Sequence, residues 1–238
     1  MIHVALVLLT AVASAGGAID VRDPEQWIAQ TEAAYDEITS YTAVLHKQQR
    51  IAGELLAEET ILIKFKKPFS LYLNWIESPH KGSELLYVQG WNEDRVRAHR
   101  GGFFRFVTRN LEPTAPELMK GNLRPVTDIG IGQLINIVAA NIRKAIEADE
   151  LTFAALGKET VYGKATQMVE ITFPQASAKE YDAYRFVINQ DIESGILIRI
   201  RAYDQSDQLI ESYGYENLDL DAPLTDADFA PDHPDYRF

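Results

Sequence analysis

There is no cysteine in the chain. That excludes disulfides, thiolate metal sites, cysteine nucleophiles and lipid attachment through an N-terminal cysteine. The fold must therefore rest on its core alone. Basic residues are outnumbered as well: 23 Lys and Arg stand against 35 Asp and Glu, a formal net charge of -12. A phosphate backbone calls for a basic surface, and no block of Lys and Arg supplies one, so no nucleic-acid partner is expected. The longest basic cluster, Lys64-Phe65-Lys66-Lys67, reads as the solvated edge of a strand. Long apolar runs are missing too. A membrane-spanning helix needs about 20 apolar residues, and Val4 to Leu9 falls far short.

Motifs of catalysis are also lacking. The sequence holds no Gly-x-Ser-x-Gly elbow, no His-Glu-x-x-His and no phosphate loop ending in Gly-Lys-Ser/Thr. No two of His3, His46, His80, His99 and His233 stand at metal-ligand spacing, and His46 and His99 read as surface or strand-edge residues. The carboxylates from Asp219 to Asp235 lack the Asp-x-Asp-x-Asp-Gly loop of a calcium site and read as a solvated acidic tail. Gly130-Ile131-Gly132 suits the tight start of a helix better than an anion cradle. A glycosidase-like carboxylate pair meets in space rather than in sequence, so none is nominated. No catalytic residue, metal or cofactor is assigned, and the chain reads as a non-enzyme.

What the sequence does contain is an apolar start, two helices and a long series of strands. Val4-Ala5-Leu6-Val7-Leu8-Leu9 followed by Ala13-Ser14-Ala15 has the pattern of a secretory signal with a small-x-small cleavage site. Residues 1–15 are read as that signal, which makes the mature protein exported, periplasmic and soluble. The segment before the apolar core has no Lys or Arg, so a mis-assigned start or a buried first strand are the alternatives. At 238 residues the chain is long enough for one large all-β domain, taken here as residues 16–238. A helix is expected from Pro24 to Ser40, capped by Asp23 in an Asp-x-x-Gln box. A second runs from Ile131 to Ala148, with the apolar stripe Leu134, Ile135, Val138, Ile142 and Ile146.

Between and after them, short alternating runs are separated by short turns. Ile61, Ile63 and Phe65 alternate with Leu62, Lys64 and Lys66, and Leu71, Leu73 and Trp75 with Tyr72, Asn74 and Ile76. Further strands are expected at 84–88, 95–99, 103–108, 153–162, 165–173, 184–190, 196–204 and 209–215. Short turns imply antiparallel neighbours, because parallel pairing needs long crossovers. An open sheet of about ten strands tends to curl, and each helix must bury its stripe on a sheet face. The expected architecture is therefore mainly antiparallel β: a strongly curved sheet, an incomplete barrel, with helices over its concave face.

Two segments carry a resemblance. Lys81-Gly82-Ser83-Glu84-Leu85-Leu86-Tyr87-Val88 with His99-Arg100-Gly101-Gly102 is one, and Gly121-Asn122-Leu123-Arg124-Pro125-Val126-Thr127-Asp128-Ile129-Gly130-Ile131 is the other. The C-terminal part agrees: Tyr213-Gly214-Tyr215-Glu216-Asn217-Leu218, then Pro223 to Phe229, then Tyr236-Arg237-Phe238. In these the chain resembles the DUF1571 proteins of the bacterial envelope, themselves related to the LolA/LolB-like lipoprotein carriers. The resemblance implies a half-barrel with a helical lid over an apolar cavity, a C-terminal tail that closes the sheet, and a lipid or lipoprotein acyl chain as the ligand. Ile61, Ile63, Phe65, Leu71, Leu73 and Trp75 would line such a cavity and Leu134, Ile135 and Val138 would close it, with Trp91 at a hairpin as a rim contact. Each acyl methylene moved into such a cavity is worth about 0.8 kcal/mol. The same side chains could instead fill the space themselves. The protein would then be an envelope sensor or interaction module with a protein partner. A monomer is expected in either case; a hydrolase of envelope polymers is the third alternative.

Overall fold

The computed structural model describes residues 21–104 and 106–238, so the proposed signal lies outside the described residues. Helix α1 spans Pro24–Asp36, and the Asp23 carboxylate accepts from the backbone N–H of Glu25 and Gln26 as a helix N-cap should. It stops four residues short of Ser40, because that residue already pairs with Lys66 in the sheet. The freed carbonyls of Tyr35 and Asp36 are met by the Lys67 ammonium at 2.8 and 3.1 Å, a cation on the negative end of the helix.

Twelve strands form one antiparallel sheet. The first half comprises β1 (Ser40–Ile51), the two-residue β2 (Glu54–Leu55), β3 (Glu59–Lys66), β4 (Ser70–Trp75), β5 (Glu84–Val88), β6 (Val96–His99) and β7 (Thr108–Leu111). A one-turn helix α2 (Pro116–Met119) and the long α3 (Ile131–Glu147) follow, then β8 (Thr152–Val161), β9 (Lys164–Thr172), β10 (Arg185–Asp191), β11 (Leu197–Tyr203) and β12 (Leu209–Asp219). The order across the sheet is β7-β6-β5-β4-β3-β1-β12-β11-β10-β9-β8, with β2 beside β1. Two meanders thus meet on β1, whose partners are β3 on one side and β12 on the other. The segment expected to be a strand at 103–108 is instead a tight turn over Gly102–Phe104, and pairing resumes only at Thr108. Gly102 has φ +70°, a backbone state incompatible with continuing the strand.

Eleven strands at about 4.8 Å would span roughly 50 Å if flat, whereas an α-helix is about 10–12 Å across. Yet Val96 near one margin and Ile171 near the other join a single apolar cluster with Trp27, Ile28, Leu134, Val138 and Ile142 of the helices. The sheet therefore wraps around α1 and α3. Alternation in β1 shows which face does so: Tyr41, Ala43, Leu45, Lys47 and Gln49 are buried on one side, while Thr42, Val44, His46 and Gln48 are half-buried on the other. Trp27 fixes α1 from the far meander, its indole donating to Gln190 Oε1 at 2.7 Å while Gln190 donates to Thr31 Oγ1.

On the outer face, β4 and β5 are covered by the end of the chain. There the C-terminal tail lays Phe229 and Tyr236 on Tyr72 and Leu86, with the Tyr236 ring stacked on Tyr72 at 3.8 Å. His99, expected at the surface, is fully buried beneath this tail: its ring lies against Phe238 and its Nε2 is 3.7 Å from Glu84. A penultimate edge strand normally leaves such a residue wet; the tail removes the water.

Candidate functional site

The residues expected to line a cavity converge on the helix-covered face. Ile61, Ile63, Leu71 and Leu73 are fully buried, Phe65 nearly so, and Leu134, Ile135 and Val138 of α3 press down on the same cluster. Trp75 sits partly buried at its border. Trp91 is elsewhere, on the outer face among the Tyr72 and Leu86 side chains under the C-terminal tail. Lid and floor are in contact, and the space between them is occupied by their own side chains.

One cleft of about 240 Å3 opens where α1, the start of α3 and the β3–β4 turn meet. Its walls are Tyr35, Phe65, Pro68, Phe69 and Ile129, with Lys67, Gln133 and Asn136 at its polar edge. Ligand pockets for drug-sized molecules run from about 300 to 1,000 Å3, so the cleft holds a fragment of a chain rather than a whole one. Gly130 and Gly132 belong to it. A Cβ on Gly132 would come within 2.5 Å of the Tyr35 ring, so glycine there is what lets α1 and α3 touch.

The start of α3 carries no side-chain cap of its own. Instead the hydroxyl of Tyr41 accepts from the Ile131 N–H at 3.1 Å, and that of Tyr35 takes the Gly132 N–H. Burial dominates both phenols and pushes them up, Tyr35 to about 12 and Tyr41 well above its ordinary value, so both stay neutral.

At the other end of β1 the inward stripe changes character, and composition and spacing gave no warning of it. Lys47 is 3% exposed and donates to Glu59 Oε1 at 3.1 Å and to Asn122 Oδ1 at 2.5 Å. Glu59 in turn accepts from the Trp75 indole. Next to it Gln49 donates to the Tyr213 hydroxyl at 2.6 Å and accepts from the Leu123 N–H at 3.2 Å, while Arg124 reaches Glu211 and Asp182 at 3.2 Å. Asn141 of α3 closes the chain of contacts by donating to Asp182 at 2.7 Å. Asn122, Leu123 and Arg124 belong to one of the two segments that carried the resemblance. Their place is now physical: they plug the end of the half-barrel with buried polar pairs and tie it to α3. Alternation alone hides this, because a Lys and a Gln in a strand read as solvent-facing.

Among the described residues no cluster of three or more His, Asp and Glu is arranged to hold a metal, and no helix is long and apolar enough to cross a membrane.

The profile of the family described as "Protein of unknown function (DUF1571)" matches residues 38–238, the whole sheet and both central segments. The chain belongs to the DUF1571 family. Among solved structures, this DUF1571 chain is similar to MucB, at 16% identity and a TM-score of 0.50, over 90% of its own length. It spans only 63% of MucB. It is likewise similar to the lipoprotein LppX of Mycobacterium tuberculosis, at 16% identity and a TM-score of 0.50, over 85% of this chain and 97% of that one. A LolA superfamily protein of Nitrosomonas europaea aligns over 88% and 98% of the two chains, at 9% identity and a TM-score of 0.37, too loosely to carry an argument. At these identities MucB and LppX speak for a shared fold and nothing further. A comparison with curated proteins gives no match.

Proposed function

We propose that this DUF1571 chain is an exported, non-catalytic binding protein of the cell envelope, of the sensor or protein-interaction kind, built as one half-barrel domain from residue 16 onward. Export rests on the apolar start and small-x-small pattern of residues 4–15. The observation that carries the interaction reading is the packed interior. With Ile61, Ile63, Leu71 and Leu73 fully buried under α3, a ligand finds no ready-made room between lid and sheet, and the protein's outward surface is what it can offer a partner. A monomer that meets an envelope partner fits this reading.

A second reading, an acyl-chain binder, is favoured by the apolar walls of the cleft beside Tyr35, Phe65 and Phe69. Its energetics are those of exchange. An acyl chain of about sixteen methylenes gains roughly 13 kcal/mol on burial at 0.8 kcal/mol each. Displacing Ile131, Leu134, Ile135, Val138 and Ile142 of the lid gives up roughly 1.5–3 kcal/mol per side chain, a similar amount. A lipid would then replace the lid stripe rather than add to it.

Native mass spectrometry of protein extracted gently from its own envelope separates the two. The interaction reading expects an apo chain carrying a stoichiometric protein partner. A stoichiometric lipid that exchanges between vesicles, with no partner, would overturn it in favour of the acyl-chain binder.

A further inference from the structure

Across β6, β7 and the loop between them, residues 95–111 hold five arginines, Arg95, Arg97, Arg100, Arg105 and Arg109, in a chain whose net charge is -12. Arg95 is paired with Glu93 and Glu112 and Arg109 with Glu117, so the positive charge offered at the tip of that loop is that of Arg100 and Arg105. His99 pairs with Thr108, so β6 and β7 form a hairpin whose tip lies beyond that pair. That hairpin ends on β7, at the free margin of the sheet. The tip is apolar and wet: Phe103 is 92% exposed, Phe106 78% and Val107 55%. Large apolar side chains scattered singly on a surface need no explanation, but three together on one basic loop do.

The base of the tip is fixed. The Gly101 N–H donates to Ser83 Oγ at 2.9 Å. A Cβ on Gly101 would run into the Lys81 carbonyl oxygen and sit 2.9 Å from the Gly82 carbonyl carbon. Lys81-Gly82-Ser83 and Arg100-Gly101-Gly102 thus cross at a distance that only glycine permits. They are the other segment that carried the family resemblance, and their role is to hold this finger in one attitude.

We propose that the Phe103–Phe106–Val107 tip is an interfacial anchor that seats the protein on an anionic lipid bilayer. Aromatic side chains with adjacent arginines suit the headgroup region, where the rings bury among the upper acyl segments and the cations meet lipid phosphates. The rest of the molecule carries the acidic excess and is repelled by the same surface. Charge therefore sets the orientation: finger down, acidic body away. The reading is independent of whether the interior ever takes a ligand.

The test is co-flotation of the protein, without its proposed signal, with vesicles of phosphatidylglycerol and phosphatidylethanolamine, against vesicles of phosphatidylcholine alone. Binding is expected to the anionic vesicles and to weaken with added salt. Phe103→Ser with Phe106→Ser should lower that partition about tenfold or more, with the far-UV circular dichroism of the folded protein retained. Arg100→Glu should abolish the preference for anionic over neutral vesicles. Full binding by the double serine variant overturns the proposal. So does the absence of vesicle binding by the wild type, or concentration-dependent self-association that the serine variant loses.

Discussion

Lys47 is the residue whose burial most needs an account. An ammonium 3% exposed is tolerated only where its charge is met, and here the Glu59 carboxylate and the Asn122 amide oxygen meet it. Removing one partner of such a pair strands the other. Glu59→Gln should therefore destabilise the protein by about 3–5 kcal/mol, and Lys47→Met by a similar amount. The double variant should cost clearly less than the sum, because it removes both charges together. Urea denaturation of the four proteins measures the coupling; simple additivity would mean that the pair is solvated rather than buried. At this scale the sequence is least legible. Lys47 and Gln49 continue the alternation begun by Tyr41, Ala43 and Leu45, but a polar residue in the inward register looks no different from one facing water. What decides is Asn122 and Arg124 arriving from a loop some 75 residues away, and His99 is misread for the same reason, its cover being the tail at Phe238.

Elements were far easier to read than contacts. The stripe Leu134, Ile135, Val138, Ile142 and Ile146 predicts α3 almost to its ends, although Ile146 in the last turn is exposed rather than packed, and the second meander falls where the short turns place it. A period of 3.6 or 2 is a local property, visible in any window. The cap of α3 is not local. Gly130 offers no side chain, and the acceptors come from Tyr41 on β1 and Tyr35 on α1, joined to α3 only once the sheet has closed over it. Tyr41→Phe keeps the ring that stacks on Phe65 at 5.0 Å but deletes the acceptor for the Ile131 N–H. The expected loss is about 0.5–2 kcal/mol, the range for an N-cap. Hydrogen exchange should show where: the amides of the first turn of α3 lose protection while those of β1 and β3 keep theirs. Uniform loss across the sheet would assign Tyr41 a packing role alone.

For the molecule as a whole, these phenols set an alkaline limit. Tyr41, Tyr213 and Tyr215 are buried on the inward face, and burial, the first cause in each, holds all three well above the ordinary phenol value; Tyr35 is pushed up to about 12. Neighbouring phenols add to the rise in Tyr41 and Tyr215, and the Glu211 carboxylate to that in Tyr213. The native state therefore keeps protons that the unfolded chain releases near pH 10. Below that pH both states are protonated and the phenols contribute nothing to a pH dependence. Above it the unfolded state binds fewer protons, so stability falls as pH rises, by about 1.4 kcal/mol per unit for each such phenol. Three or four acting together exhaust a typical stability of 5–15 kcal/mol within about two to three units. Titration followed by tyrosinate absorbance and near-UV circular dichroism should show one cooperative step above pH 10, in which the inward tyrosines ionise as tertiary structure is lost. Smooth, independent ionisation near pH 10 with the fold intact would mean that water already reaches the inward face. The half-barrel would then be open in solution rather than filled, and the acyl-chain reading would gain what the interaction reading lost.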